Sequence, residues 1–422
     1  MKENVRVYEY ENGSKIIVEM NENVGYATFL INVKIGGKDE NEKQFGLAHF
    51  LEHLFFKSTN DMTTYEIAEY LESLGAVINA DTSERETNYH FMSLKENFEK
   101  CVEIYSKMFF EGKFDKDEID KERKVILEEM KRFYDNIQQQ TYMKAYKGLT
   151  EGTPYSHDVI GTEDIITNVR RNDILEFKKK YTPDKITFSI AGNIDFEEAK
   201  GIVEKYFGKL LNQECESKTE NEIIIKDVKT NFVFTKKDNK QSQVYILIRT
   251  DDIYSSSVTP LKLLGVICGS GMCSRFFSEL REKRGLAYSC GASTYFTKEY
   301  GYFQIFIGTS NEKLSESLVA IRQILKELSE DGVTERELEI AKVKMKSEFV
   351  YEINSVLRHA RSNAFNYYYF KDIPSIEKRM KEVEAVTCED ILKCAKELYN
   401  EKNYVVSVCG DLENFDRIKN AF

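Results

Sequence analysis

Chain breakers are scarce: only 4 prolines and 22 glycines occur in 422 residues. No stretch therefore reads as an extended linker or low-complexity segment. Long hydrophobic runs are missing as well. Every apolar run is short and broken by charge, so no transmembrane helix and no membrane partner is expected. The first residues, Met1-Lys2-Glu3-Asn4-Val5-Arg6-Val7, lack the apolar core of a secretory signal. The 8 cysteines include no C-x-x-C pair, and none lies at metal-ligand spacing. Without an export signal they read as reduced thiols of a cytoplasmic protein. Surplus positive charge is also lacking, since 60 Lys and Arg stand against 71 Asp and Glu for a net charge of −11. That balance argues against a nucleic-acid partner. It is compatible with attraction for cationic partners and equally with plain solubility.

What is present is an ordinary globular composition, 41% apolar and 31% charged, in a chain long enough for two or three domains. Val5–Tyr10 and Lys15–Met20 flank an Asn12-Gly13 turn and read as a hairpin. Tyr26–Ile35 is a further strand. Helices are expected over Phe45–Phe56, Thr63–Leu74 and Asn97–Phe110, the second capped by Asp61, Thr63 or Thr64 with Glu66 available for a capping box. Val77–Leu94 between them is extended. Asp115–Lys147 reads as a long charged helix with a break. A helix ending over Asp173–Lys180, a strand at Ile186–Ala191 and a helix at Phe196–Phe207 follow. The polar stretch Leu210–Asn221 marks a domain boundary.

The second half then repeats the first. Tyr181 to Asp195 resembles Tyr399 to Glu413, with Tyr on Tyr and Gly192 on Gly410, both at a shift of 218 residues. Asp117–Arg123 resembles Arg336–Lys342 near the same shift. The expectation is an α+β protein of two tandem homologous domains, 1–212 and 222–422.

Histidine is rare, 5 in all, yet two fall within His49-Phe50-Leu51-Glu52-His53. On a helix, positions i, i+3 and i+4 share one face. Phe50, Leu51, Leu54 and Phe55 cover much of the remainder, so the helix should be buried with its polar face toward a cleft. Two imidazoles one turn apart can hold one metal ion, with Glu52 beside its open position. This is the H-x-x-E-H order, the reverse of H-E-x-x-H. Catalytic zinc takes three protein ligands and a water. The missing ligand is sought among Glu122, Glu128 and Glu129. Glu122 and Glu129 share a face one heptad apart and Glu128 is rotated from both, which leaves the choice open.

Gly46-Leu-Ala-His49-Phe-Leu-Glu52-His53-Leu-Phe-Phe-Lys57-Ser-Thr59 resembles the zinc helix of the pitrilysin family of zinc metallopeptidases. That family's third ligand lies in a Glu-Arg-x-x-x-x-x-Glu pattern, here Glu122-Arg123 to Glu129, with 75 residues between His53 and Glu129. The resemblance implies Glu129 as ligand, Glu122 as a supporting carboxylate and one Zn²⁺ per chain. It implies Glu52 as general base in peptide hydrolysis. Asn79, Ala80, Asp81 and Thr82 resemble the family's edge strand, which pairs with substrate backbone. Ser274 to Tyr288 resembles its C-terminal signature, so Arg281 and Tyr288 are expected to contact peptide substrates. By similarity, each domain should be a mixed, mostly antiparallel sheet covered by helices, and the chain half of a clam-shell. A homodimer would then enclose a chamber, the second chain supplying Arg281 and Tyr288. At the 218-residue shift His49, Glu52 and His53 fall on Ile267, Ser270 and Gly271, so the second domain should hold no metal. A rival reading is a non-catalytic structural or processing-complex subunit of the same fold.

Overall fold

The computed structural model describes residues 2, 4–215, 222–229, 231–352, 355–412 and 415–422. Residues 216–221 of the expected boundary stretch, and Glu413 at the end of the repeat, lie outside them.

In chain order the first half contains β1 (Val5–Glu9), β2 (Lys15–Met20), β3 (Tyr26–Val33), α1 (Leu47–Phe55), α2 (Thr64–Ser73), β4 (Val77–Thr82) and β5 (Thr87–Leu94). It continues through α3 (Phe98–Glu111), α4 (Lys116–Asp135), α5 (Ile137–Leu149), α6 (Glu163–Asn168), α7 (Arg171–Lys178), β6 (Ile186–Gly192) and α8 (Phe196–Leu211). The second half contains β7 (Phe232–Lys236), β8 (Gln241–Thr250), α9 (Val258–Gly269), β9 (Ala287–Phe296), β10 (Gly301–Ser310) and α10 (Leu314–Asp331). It closes with α11 (Glu335–Glu352), α12 (Val356–Phe370), α13 (Ile376–Ala385), α14 (Cys388–Asn400), β11 (Tyr404–Gly410) and α15 (Phe415–Lys419).

Two mixed sheets result, ordered β1-β2-β6-β3-β5-β4 and β7-β11-β8-β10-β9. Among the described residues, only β2–β6 and its counterpart β7–β11 are parallel; every other pair is antiparallel. The two orders match strand for strand, apart from β1, so the internal repeat is structural. No helix among the described residues is long and apolar enough to cross a membrane.

Local signals account for many of the boundaries. Asn12 accepts from the Ser14 amide (3.1 Å) and Gly13 takes φ 87°, which closes the first hairpin. Thr63 and Glu66 form a reciprocal capping box at the head of α2. The long charged helix is two helices, because Asn136 leaves helical geometry and its Oδ1 caps α5 at the Gln139 amide (3.1 Å).

The chain folds as two compact units, and they are not its contiguous halves. One comprises residues 1–131, 157–221 and 352–375; the other comprises 132–156, 222–351 and 376–422. Each unit therefore takes a helix from the opposite half of the sequence. In the first unit Phe29 of β3 meets Phe188 (5.8 Å) and Phe91 (5.5 Å) on one sheet face. Leu30 and Ala191 on the other face are covered by Val356, Ala360 and Ala364 of α12. In the second unit Ala145, Tyr146 and Leu149 of α5 pack on Leu247, Tyr300, Tyr302 and Val405. Gly148 permits that approach, since a Cβ there would stand 3.2 Å from the Val405 methyls.

The face under α12 is unusually polar for a covered sheet. Glu19 of β2 accepts from Lys2 (3.0 Å), His359 Nδ1 (2.8 Å) and Asn363 (2.7 Å). Ser189 donates to the Ala360 carbonyl at 2.7 Å.

Candidate metal centre

Helix α1 begins at Gly46, which adopts the left-handed conformation at φ 96°. A Cβ there would stand 2.8 Å from the Cα of Gly161, so glycine is required twice over. The first amides of any helix lack intrahelical partners. Here Glu40 supplies them, accepting from the amides of Gly46 (2.9 Å) and Ala48 (2.7 Å). His157 Nε2 lies 3.1 Å from the same carboxylate, and its ring stacks on Phe45 at 4.1 Å. Burial pushes the Glu40 carboxyl up from its ordinary value, against those hydrogen bonds.

Leu47, Ala48, Phe50, Leu51, Leu54 and Phe55 are buried on one side of α1. Exposing any one of the large side chains would cost about 1.5–3 kcal/mol. That cost fixes the rotation of the helix and turns His49, Glu52 and His53 together to the opposite side. The two imidazole centroids are 4.7 Å apart at 74°.

Glu129, from α4, completes the group. Its Oε2 lies 3.4 Å from His53 Nε2 and 3.9 Å from His49 Nε2. The three donor atoms all fall within 4.8 Å of one another, and among the described residues this is the one such group of three. Tetrahedral zinc with bonds of ~2.0–2.1 Å sets its ligand atoms ~3.3–3.4 Å apart. Two imidazole nitrogens and one carboxylate oxygen form a donor set of catalytic zinc, with a fourth position open. The residues present therefore fit the metal in type, number and spacing.

The three acidic candidates differ in orientation. Glu128 is exposed and pairs with Lys131 at 2.6 Å. Glu122 lies behind the group, where His53 Nδ1 donates to its Oε2 (3.0 Å) and Lys57 Nζ to its Oε1 (2.7 Å). Burial would raise the Glu122 carboxyl, but the His53 and Lys57 hydrogen bonds outweigh it and hold it below its ordinary value. His53 is pulled down by burial yet ends raised, because Glu122, Glu129 and Glu52 surround it with negative charge. Burial, with the neighbouring His53 adding, holds His49 down at about 3, so its imidazole is neutral and its lone pair available. Among the described residues His49 Nδ1 is buried without a hydrogen-bond partner, so packing orients that ring from behind.

Glu52 occupies the same face. Burial raises its carboxyl, opposed by a hydrogen bond from Thr82 and by the charge of His53; Asp81 and Glu129 add to the rise. Thr82 Oγ1 donates to Glu52 Oε2 at 2.6 Å. Strand β4, which carries Thr82, is a sheet edge, as the sequence suggests for Asn79 to Thr82. Asn79 is exposed and Ala80 half-buried. Asp81 and Thr82 have intramolecular partners: Asp81 pairs with Arg361 of α12 (Nη1–Oδ1 3.2 Å) and accepts from Asn88 (3.1 Å).

Arg281 and Tyr288 belong to the second unit, the former on a π-helical segment (Phe277–Lys283) and the latter on edge strand β9. They touch each other: Arg281 Nη1 donates to the Tyr288 carbonyl at 3.2 Å and its guanidinium lies 5.5 Å from the ring centroid. Tyr288 is 75% exposed. The counterparts of His49, Glu52 and His53 fall at the end of α9, where Ser270 caps the helix and Gly271 takes φ 83°.

Sequence reasoning missed Glu40, Lys57 and Arg361, and the contact Thr82 makes. Lys57 had a signal, standing one turn beyond His53 in the same motif. Glu40 and Arg361 had none.

Residues 15–163 match the family model described as Insulinase (Peptidase family M16), and residues 168–345 match Peptidase M16 inactive domain. A zinc protease of Rickettsia bellii is 31% identical over 404 residues, 95% of this chain and 96% of its own length. The zinc protease YmxG of Bacillus subtilis is 28% identical over 398 residues, 94% of this chain and 96% of its own. Among solved structures, a protease from Helicobacter pylori superposes with a TM-score of 0.86 at 23% identity, covering 96% of this chain and 99% of that one. The periplasmic protease PqqL of Escherichia coli superposes at 0.81 and 18% identity, covering all of this chain and 50% of that one. At these identities the structural likenesses carry the fold alone.

Proposed function

This chain belongs to the pitrilysin family, peptidase family M16, and from that premise we propose that it is a zinc-dependent metalloendopeptidase acting on extended peptides. The observation that carries the reading is the placement of Glu52 on the helical face that bears His49 and His53, with Glu129 completing the donor set. One zinc ion per chain would be held by His49, His53 and Glu129. Bound there, zinc supplies Lewis acidity and brings the ionisation of a bound water toward neutral pH.

The chain's own residues do the rest. Glu52, with its carboxyl raised by burial, takes the proton of the water that attacks the peptide carbonyl and delivers it to the leaving amine. Glu122, braced by Lys57, fixes the His53 tautomer with Nε2 turned toward Glu129. The free edge of β4, with Asn79 and Ala80, receives the substrate backbone as an added strand. Arg281 and Tyr288, held against one another with the ring exposed, contact the substrate from the second chain of a homodimer. The metal site lies in the unit of residues 1–131, 157–221 and 352–375, and the second unit has Ile267, Ser270 and Gly271 at the positions equivalent to His49, Glu52 and His53. A chamber enclosed by two chains admits unfolded peptides and excludes folded proteins.

Glu52→Gln should retain stoichiometric zinc while cleavage of a quenched fluorescent peptide falls by about 10²–10⁴-fold. Chelation should silence the wild type. Full activity in Glu52→Gln, or purified protein that takes up no stoichiometric zinc, overturns the proposal.

A further inference from the structure

Among the described residues, strand β4 pairs with a neighbour, β5, along one side only. Its position therefore depends on what its side chains hold. Side chains alternate between the two faces of a strand. Ile78 and Ala80 turn into the core below α1, and Thr82, in the same phase, reaches Glu52 at 2.6 Å. Asp81 has the opposite phase and meets Arg361 through both terminal guanidinium nitrogens, with Nη1 at 3.2 Å. Arg361 Nη2 also lies 3.5 Å from His90 Nδ1 on β5, and Asn88 of β5 steadies Asp81 from the side. The strand is thus fastened below to the metal-site helix and above to α12, a helix whose Arg361 lies 280 positions further along the chain.

We propose that Thr82 and Arg361 are positioning residues that clamp β4 from its two faces, so that the register of the substrate strand and the aim of the Glu52 carboxylate are set together. The inference rests on the reading of Glu52 as the base. With Oε2 accepting from Thr82, the carboxylate plane is fixed and Oε1 is left for the transferred proton. Arg361 acts one step further away. It pins Asp81 and so holds the peptide-receiving edge in the register that Thr82 requires. A bidentate guanidinium defines that register where a flexible ammonium would not.

Two pairs of variants test the clamp on full-length, zinc-loaded protein, with one measurement on zinc-free protein. Thr82→Val removes the hydroxyl at constant shape. Its kcat on a quenched peptide should fall about 10- to 100-fold, with KM and zinc stoichiometry unchanged, and Thr82→Ser should restore most of the loss. Arg361→Gln should raise KM and, in zinc-free protein, speed amide hydrogen exchange across 77–82 by about tenfold or more. Arg361→Lys should recover part of both. A Thr82→Val enzyme with wild-type kcat overturns the clamp, as does Arg361→Gln with unchanged KM and unchanged exchange. The two readings separate cleanly: an active Glu52→Gln overturns the base assignment, whereas a silent Glu52→Gln beside an unaffected Thr82→Val overturns the clamp alone.

Discussion

Lys57 holds one oxygen of Glu122 while His53 holds the other, so a surface cation reaches the metal group through a single carboxylate. Removing that brace frees Glu122 to rotate. Lys57→Met should weaken zinc binding about tenfold, the lower end of the range for outer partners of a metal site; titration against a competing chromophoric chelator measures it. A second prediction concerns Glu19. Burial works to raise its carboxyl, but hydrogen bonds from His359 and Asn363 and the charge of Lys2 outweigh it and hold it at about 2, against an ordinary 4.5. A carboxyl depressed on folding contributes stability that is complete above the unfolded value and is lost as pH falls from about 4.5 toward 2. The contribution is on the order of 3 kcal/mol. Urea denaturation at pH 7 and pH 3.5 should show the first part of that loss, about 1.4 kcal/mol, in the wild type and a flatter response in Glu19→Gln. The grouping of His49, Glu52 and His53 was legible as a spacing, because i, i+3 and i+4 share a helical face. That Glu129, and not Glu122, completes the group was not legible from phase alone. Glu122 and Glu129 differ in what stands behind them, and that is set by packing between α1 and α4.

At the level of elements, α1 is placed by its head as much as by its apolar side. Glu40→Ala would strip the Gly46 and Ala48 amides and His157 of their acceptor at once. A loss of about 2–3 kcal/mol is expected in chemical denaturation, more than an ordinary exposed cap provides. Gly46→Ala combines an unfavourable φ with a backbone clash against Gly161, and should cost at least as much. Hairpin, capping box and helix break could all be read in advance, because Asn12-Gly13, Thr63 to Glu66 and Asn136 act over a few residues. The destination of α5 and α12 could not. A periodic apolar face announces that a helix will be covered, not which sheet will cover it, and a boundary near 212–222 gives no hint that 132–156 and 352–375 change sides.

For the whole molecule, the reciprocal helices make each half incomplete by itself. Residues 1–215 alone would leave Leu30 and Ala191 uncovered on one sheet face, and α5 without its sheet. Expressed separately, 1–215 and 222–422 should be aggregation-prone; expressed together as two chains they should copurify with stoichiometric zinc, which size exclusion and metal analysis would show. Recovery of a stable, monomeric 1–215 fragment would refute that expectation. The same exchange imposes a schedule on biosynthesis. The last strand of the first sheet leaves the ribosome at Gly192, whereas α12 begins at Val356. At translation speeds of about 5–20 residues per second, the nascent sheet waits roughly 10–30 seconds with an unclad face. Through that interval the half that carries His49, His53 and Glu129 should be a client for holding chaperones, and any slowing of elongation between those two points should prolong its exposure.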